Sequence, residues 1–269
     1  MDVNIHPDGN DRFVAIEHGR WNSKWRIQFP EAITANEGTI MAWPANCHPV
    51  WEALNGHGWA YTWRTTAAYG AQVCAMDHRD TDGNPQYSKF FVGLALRAEM
   101  QCRDDGLHLS LTLTNESSRT VHSVSCDGGC WQAKSRAFVG CNEVARSYVM
   151  VKGKMVNMDS LARTVAIRCM YRCDPSAYDG KKEWFWGRSN TAIDAPAILG
   201  ATSDDGAKAL VLGYEGAVSG LANSDEHHCL HSSPFFGAIP PGQSVRRIGH
   251  VLFGSDIQAL ADVLSRKLE

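Results

Sequence analysis

Hydrophobic and polar residues alternate along most of this chain. In LHLSLTLTN, residues 107–115, leucines alternate with polar or small residues, which is the two-residue period of a half-buried strand. The segment is entered through RDDG and left through NESS, both typical of turns. Similar short runs recur between glycine, asparagine and aspartate residues. They are RFVAIE, WRIQF, AYGAQVCAM, FFVGLALRAEM, SYVMVKG, AILGATS and KALVLGYEG. This pattern predicts a protein built from many short strands.

One segment, at the C-terminus, has the spacing of a helix. The apolar residues that share one face are Ile257, Leu260, Ala261 and Leu264. This spacing predicts a helix over residues 256–267, with Ser255 as its N-cap. No internal repeat and no linker-like change of composition interrupts the chain. We therefore predict an all-β fold, a large antiparallel β-sandwich in which residues 1–269 form a single domain with a short C-terminal helix.

The amino-acid composition limits the kinds of molecule that this protein is expected to bind. The chain has 269 residues, 44% hydrophobic and 20% charged, with a net charge of −3. Such a balance argues against binding to nucleic acid or to an anionic membrane surface. No stretch approaches the roughly 20 apolar residues that cross a bilayer. The N-terminal residues lack a basic segment followed by an apolar run, so we expect no secretory signal, which favours the cytoplasm. The expected partner is a small molecule or an oligosaccharide, and the oligomeric state is left open.

The stretch HHCLHSSPFFGAIPPGQ, residues 227–243, concentrates groups that bind metals or accept protons. On an extended strand His227, Cys229 and His231 would alternate onto one face. Imidazole and thiolate are ligands that zinc prefers, so these three residues are a candidate metal site, although spacing identifies no fourth ligand. The expected chemistry requires either no cofactor or a divalent metal such as zinc.

Two stretches resemble a known family. LHLSLTLTNESSRTVHSV is similar to the strand and turn of aldose 1-epimerases, the galactose mutarotases. CLHSSPFFGAIPPGQSVRRIGHVLF resembles their C-terminal signature, in which a Cys-Leu-Glu segment precedes a Pro-Gly turn and the closing strand. The matching residues here are Cys229, Leu230, Ala238, Pro241 and Gly242. The resemblance covers roughly the C-terminal half, and it implies a galactose mutarotase-like super-sandwich, shared with several polysaccharide lyases.

The departures from that family concern its catalytic groups. His231 stands where the resemblance places the catalytic glutamate, the base that deprotonates the anomeric hydroxyl. The histidine that the family carries after its Thr-Asn strand is missing, and SCDGGCWQAK occupies that region. An imidazole can transfer protons in place of a carboxylate, but the charge of the site changes. Three interpretations of His231 remain: an acid or base acting on a sugar, a metal ligand, or a hydrogen-bonded structural histidine.

A second candidate region is WPANCHPVWEALNGHGWAYTW, residues 43–63. It surrounds two histidines with tryptophans, whose rings stack on the apolar faces of sugars. Its glycines and prolines predict an exposed loop, while any single tryptophan could equally fill the core. We predict His48 as the catalytic partner of His231, with His57 as the next candidate, and Trp59 as a substrate-binding residue.

Two further segments carry polar side chains suited to a sugar. CDGGCWQAK, residues 126–134, offers Asp127 for catalysis and Trp131 and Gln132 for substrate binding, beside a glycine pair that permits a sharp turn. A structural hairpin is the alternative there. In KKEWFWGRSN, residues 181–190, Trp186 and Arg188 could stack on and clamp an anionic sugar, or the loop could pack on itself.

Nine cysteines are present, and most are expected to be small buried hydrophobic residues. Cys126 and Cys130, like Cys169 and Cys173, are separated by three residues rather than the two usual in zinc knuckles. No phosphate loop, dinucleotide fingerprint, nucleophile elbow or His-Glu-x-x-His motif occurs. We expect an enzyme that acts on a sugar or uronate-containing oligosaccharide by acid/base proton transfer, as an epimerase or a β-eliminating lyase. The alternative is a non-catalytic carbohydrate-binding module.

Overall fold

The chain forms two large antiparallel sheets. The structure, a computed structural model, describes residues 2–9, 11–42, 45–55, 57–76, 89–132, 137–138, 145–177, 187–223 and 228–269. In chain order, the first elements of the described residues are β1 (Val3–Pro7), β2 (Phe13–His18), β3 (Ser23–Gln28), β4 (Ala32–Ala35), β5 (Gly38–Met41), β6 (Trp51–Leu54), β7 (Gly58–Arg64), α1 (Ala67–Ala75), β8 (Leu94–Arg103) and β9 (Gly106–Asn115). The later elements are β10 (Val121–Asp127), β11 (Cys130–Gln132), β12 (Ser147–Val151), β13 (Lys154–Asn157), β14 (Arg168–Arg172), β15 (Ile198–Thr202), β16 (Ala209–Tyr214), β17 (Ala217–Asn223), β18 (Cys229–Ile239), β19 (Ser244–Gly254) and α2 (Ile257–Leu268).

The first sheet has the order β1-β2-β3-β11-β18-β10-β4-β5, with β17 on the other side of β18 and β14 beyond β17. The second sheet has the order β13-β12-β15-β16-β19-β9-β8-β7-β6. β18 is central in the first sheet, because β10 and β11 share one of its edges and β17 takes the other. The long period-2 segment at residues 107–115 is β9, which pairs with both β8 and β19.

The main core lies between the sheets. Alternate residues of each strand face inward, as the sequence pattern predicts, including Leu107, Leu109, Leu111 and Leu113 of β9, none more than 1% exposed. A second apolar cluster lies on the outer face of the second sheet, where α2 covers it. Its buried members are Met150, Ile198, Val211, Leu252, Ala261, Leu264 and Leu268. The predicted β-sandwich with a C-terminal helix is confirmed.

Two details of the predicted elements need correction. The N-cap of α2 is Asp256 rather than Ser255, since its carboxylate accepts from the backbone N–H groups of Gln258 and Ala259. The run AYGAQVCAM, residues 68–76, for which the pattern predicts a strand, lies in α1 except for its last residue. Thr66 caps this helix by accepting from the Tyr69 N–H, and Tyr69 and Val73 are buried one helical turn apart. Over so few residues, alternation does not separate a strand from a short helix.

Neither helix of the described residues is long and apolar enough to span a membrane.

We expect a histidine pair in the second sheet to make the folding stability of the protein sensitive to acid. His108 of β9 and His250 of β19 lie directly opposite each other, with ring centroids 5.1 Å apart. Burial, the neighbouring His108 and Lys267 of α2 lower the pKa of His250 from 6.5 to about 4. Between these pH values His250 binds a proton in the unfolded chain but not in the folded chain.

The first prediction follows from this difference in proton binding. Folding stability should fall as pH is lowered from about 6.5 to about 4, because only the unfolded state gains the proton in that range. His250→Gln should flatten this dependence, measured from urea unfolding midpoints at several pH values. The exposed His6 serves as the control, and an equal flattening in His6→Gln would contradict the assignment to His250.

Candidate functional site

The candidate site lies on the outer face of the first sheet, around β18. Cys229 and His231 face outward, while Leu230 between them joins the core, as expected from strand alternation. Trp131 pairs with Leu230 and Gln132 with Cys229, so Cys130 stands opposite His231 across the β11–β18 pair. Although they face away from the core, Cys229 and His231 are each only 3% exposed.

An interruption between β10 and β11 brings Asp127 and Cys130 to this same face. In an unbroken strand, residues 126 and 130 would share one face. Here Cys126 and Trp131 belong to the main core, but Cys130 does not. The two-glycine segment Gly128–Gly129 therefore shifts the alternation by one residue. A Cβ atom on Gly128 would lie 2.7 Å from the Ser232 carbonyl oxygen, so the close approach of this segment to β18 requires glycine.

A second interruption, between β3 and β4, lies beside the first and carries Glu31. β11 pairs with β3, and β10 pairs with β4. The Glu31 N–H donates to the Asp127 carbonyl oxygen at 3.1 Å, which joins the two irregular segments. Their remaining carbonyl groups are buried and need donors. Tyr61 donates to the Phe29 carbonyl at 2.7 Å, and Tyr214 donates to the Gly128 carbonyl at 2.8 Å.

Arg12 supplies the other donors. Its side chain is fully buried and paired with Asp11 at 3.1 Å. The guanidinium group donates to four backbone carbonyls, each at 2.7–2.9 Å: those of Pro30, Glu31, Ala42 and Ala45. A planar group with five N–H donors suits this task, because a lysine could not reach four fixed acceptors. Arg12 thus connects the segment that carries Glu31 to the chain after β5.

His231 is the centre of a charged cluster. Its Nδ1–H donates to Asp127 Oδ1 at 2.9 Å, and its Nε2–H donates to Cys229 Sγ at 3.1 Å. Glu31 Oε2 also lies 2.9 Å from Nδ1, outside the direction of that N–H, and accepts no hydrogen bond among the described residues. The Cys130 thiol is hydrogen-bonded to Cys229. Two carboxylates and two sulfurs therefore surround one imidazole.

These neighbours determine the charge of the His231 imidazole. Burial alone would lower the pKa of His231, but the charges of Asp127, Cys229 and Glu31 outweigh it and hold this pKa well above its ordinary value. Burial alone would raise the pKa of Cys229, yet the hydrogen bond from Cys130 and the imidazolium charge lower it from 9 to about 7. Both shifts favour the thiolate and imidazolium forms of the pair.

The surrounding face carries arginine and amide side chains beside apolar ones. Going outward from β18, His231 pairs with Leu221 of β17, Leu221 with Met170 of β14, and Met170 with Arg188 in an isolated parallel bridge. Arg188 thus lies three strand spacings, about 14 Å, from His231 in one cross-strand row. Residues of the adjacent rows that share this face are Gln28, Gln132, Arg168 and Asn223.

The structure brings together only some of the residues predicted from sequence. Asp127, Gln132, Cys229 and His231 converge, and Arg188 shares their face. Trp131 lies in the core at 1% exposure, with its ring centroid 5.9 Å from that of Trp25. The core position follows from the shifted alternation, which turns Trp131 away from the face that its neighbour Gln132 occupies.

In the tryptophan-rich region, the described tryptophans lie in or against the main core. Trp59 packs against the main core, and its indole N–H donates to the Ile5 carbonyl at 3.0 Å. His48 and His57 are exposed, each at a positive φ, and neither is a partner of His231 among the described residues. The predicted ligand His227 and the predicted stacking residue Trp186 lie outside the described residues.

Sequence reasoning missed three residues of this region. Glu31 and Arg12 are isolated charges at the ends of strand-like runs, and nothing local distinguishes them from surface residues. Cys130 was considered only with Cys126, although the structure pairs it with Cys229, 99 positions later in the chain. The glycine pair between Cys126 and Cys130 was the available signal, because a break in a strand can separate two cysteines onto opposite faces.

Comparison with known proteins identifies the fold. No family model matches the sequence, and no curated protein matches it. A galactose mutarotase-like protein from Lactobacillus casei ATCC 334 has a similar structure, with 9% identity, a TM-score of 0.51, and 93% of this chain and 99% of that chain covered. The α-N-acetylgalactosaminidase NagBb from Bifidobacterium bifidum, in complex with GalNAc, has 10% identity and a TM-score of 0.52, with 99% of this chain and 37% of that chain covered. The chain therefore has a galactose mutarotase-like fold, and the predicted fold-level resemblance is confirmed.

The second prediction concerns Arg12. Arg12→Met should lower the free energy of unfolding by about 3 kcal/mol or more, because four buried carbonyl groups lose a charged donor. Urea unfolding at neutral pH measures this change. The matched control is Arg64→Met, which removes an exposed pair with Glu116 and should cost about 1 kcal/mol or less. Equal losses in the two variants would show that Arg12 does not hold the irregular segments.

Proposed function

We propose that this protein acts on a uronate-containing sugar or oligosaccharide by abstracting the proton next to the sugar carboxylate. The supporting observation is the pair of carboxylates, Asp127 and Glu31, that shares the His231 imidazolium on a face that also carries Arg168 and Arg188. The resemblance places the mutarotase glutamate at His231, and here carboxylates from two other segments lie 2.9 Å from that imidazole. The fold is similar to that of a galactose mutarotase-like protein and of an α-N-acetylgalactosaminidase in complex with GalNAc.

Asp127 is the proposed base. Its side chain is 31% exposed, compared with 15% for Glu31 and 4% for His231, so among the three it is the group best placed to touch a substrate. Both ring nitrogens of His231 are already engaged, which makes it a positioning residue rather than the base. A base must reach the proton that it removes, and a buried imidazole with two internal partners does not.

The second carboxylate, that of Glu31, stabilises the positive charge of His231 during the reaction. When Asp127 takes the proton from carbon it becomes neutral, and the buried imidazolium loses the charge of that partner. Glu31, at 2.9 Å, keeps the imidazolium paired throughout the step. Breaking a buried ion pair is strongly unfavourable, so a neighbouring anion removes a cost that would otherwise raise the barrier.

The reaction balances without an external oxidant or reductant. The carbon–hydrogen bond breaks, its proton moves to Asp127, and its electron pair delocalises into the substrate carboxylate. Arginine side chains of this face, such as Arg188, stabilise the added charge. If the bond to the neighbouring glycosidic oxygen then breaks, Asp127 returns the proton to that oxygen and an unsaturated uronate forms. If a proton from water instead adds to the opposite face of the carbon, the product is the epimer, and Asp127 releases its own proton to solvent.

The third prediction tests Asp127. Asp127→Asn should lower kcat by about 10²- to 10⁴-fold, the range expected for loss of a general base, while Glu31→Gln should have a smaller effect. The assay follows deuterium exchange from D₂O at the carbon next to the carboxylate, together with ultraviolet absorbance of unsaturated uronate. Asp262→Asn, a carboxylate of α2 on the other sheet, is the control and should keep full activity.

Two results would contradict this proposal. A fully active Asp127→Asn variant would remove Asp127 from the mechanism. Glycan binding without exchange or elimination on any uronate tested would instead favour the non-catalytic carbohydrate-binding module.

The fourth prediction tests the anionic sugar. Arg188→Gln should raise KM for a uronate oligosaccharide by about tenfold or more, because a hydrogen bond to a charged group contributes about 1.5 kcal/mol or more. Binding of the corresponding neutral oligosaccharide should change little. Arg64→Gln, an exposed arginine of the second sheet, is the matched control. Equal losses for the charged and neutral ligands would argue against recognition of the carboxylate by Arg188.

A further inference from the structure

Three metal-binding atoms of the cluster converge on one point. Cys130 and Cys229 offer sulfur atoms and His231 offers an imidazole nitrogen, and these atoms all lie within 4.8 Å of one another. They come from two adjacent strands, since Cys130 stands opposite His231 and Cys229 lies two residues before it. All three residues are nearly fully buried, with exposures of 1–3%.

The sequence alone pointed to a different set. It grouped His227 with Cys229 and His231, and His227 lies outside the described residues. The structure supplies Cys130 as a third donor, because the break at Gly128–Gly129 turns this cysteine away from the core. Cys126, four residues earlier, stays in the main core and cannot reach the same point.

We propose that Cys130, Cys229 and His231 bind a zinc ion, with His231 coordinating through Nε2. Two thiolates and an imidazole are a donor set that zinc prefers, and harder cations such as magnesium select oxygen ligands instead. Two thiolates also balance the two positive charges of the ion, which lowers the cost of burying it. Zinc replaces the Nε2 proton and the cysteine protons on binding.

The surroundings of the three donors fit this assignment. The Nδ1–H of His231 donates to Asp127 at 2.9 Å, and a carboxylate on the second nitrogen is the usual partner of a zinc-bound histidine. The Gln132 side-chain amide donates to Cys130 Sγ at 3.6 Å, as expected for a group that stabilises a thiolate. Both contacts remain available when the metal is bound, since neither uses Nε2.

The distances require only a small adjustment. Zinc–sulfur bonds of about 2.3 Å and zinc–nitrogen bonds of about 2.0 Å place tetrahedral ligands about 3.5 Å apart. His231 Nε2 and Cys229 Sγ are 3.1 Å apart, in hydrogen-bond contact. Separation by about half an ångström would admit the ion, a change within the reach of side-chain rotation.

Three protein ligands leave a fourth position for water or a substrate oxygen, which is the arrangement of catalytic rather than structural zinc. The assignment rests on these donors and does not depend on the sugar chemistry proposed above. A protein that holds no zinc when supplied with it but still turns over a uronate would overturn the metal site alone. A zinc-bound protein inactive on every uronate would overturn the proposed function alone.

The fifth prediction is the metal content of the protein. Purified under reducing conditions without chelator and supplied with zinc, the full chain should hold about one zinc ion, measured by elemental analysis after gel filtration. Cys130→Ser and Cys229→Ser should each lose it. The matched control is Cys126→Ala, a buried cysteine of β10 that faces the core and should retain the ion. Asp127→Asn should weaken zinc binding by about 10- to 100-fold in competition with a chromophoric chelator.

A second measurement uses the unaltered protein, so that misfolding of a variant cannot decide the result. X-ray absorption at the zinc edge should show two sulfur and one nitrogen ligand, together with one lighter atom. A first shell of oxygen and nitrogen alone would assign the ion to Glu31, Asp127 and His231 and overturn the proposal. Zinc-free protein after this treatment would overturn it too, as would a Cys130–Cys229 disulfide that persists under reduction.

Discussion

The contact between the His231 imidazolium and its anionic neighbours is the interaction on which the outer face of the first sheet depends. A buried positive charge is tolerated only with close partners, and Asp127, Glu31 and Cys229 provide them within 3.1 Å. None of the three is adjacent to His231 in sequence. Cys229 lies on the same strand as His231, so the fold must bring two other segments to the imidazole, and it does so by interrupting two strands at the same place.

Those interruptions have a cost that the surrounding core offsets. A regular strand satisfies its backbone groups through its neighbours, whereas the segments around Pro30 and Gly128 leave carbonyls that need other donors. Buried side chains of Arg12, Tyr61 and Tyr214 supply these donors. Large polar residues in the core are thus explained by the site, because without the irregular segments the sheet would need none of them.

The two sheets differ in what covers their outer faces. α2 packs on the second sheet and buries a separate apolar cluster there, so that face serves stability. The outer face of the first sheet carries the carboxylates, the thiols and the arginines instead. Acid/base chemistry and zinc binding are consequently proposed on one face, and Asp127 would take part in both, as the base and as the partner of a zinc-bound His231.

The sequence by itself determined the features that depend on local periodicity. Alternation in residues 107–115 predicted β9, helical spacing predicted α2 to within a residue, and alternation placed Cys229 and His231 on one face away from Leu230. Tertiary structure alone decided which groups meet at that face. Glu31, Cys130 and Arg12 join the site through pairing between strands far apart in the chain, and a two-glycine break reverses the direction of Trp131. Periodicity carries no information about strand partners, since these are chosen by the packing of the whole sheet.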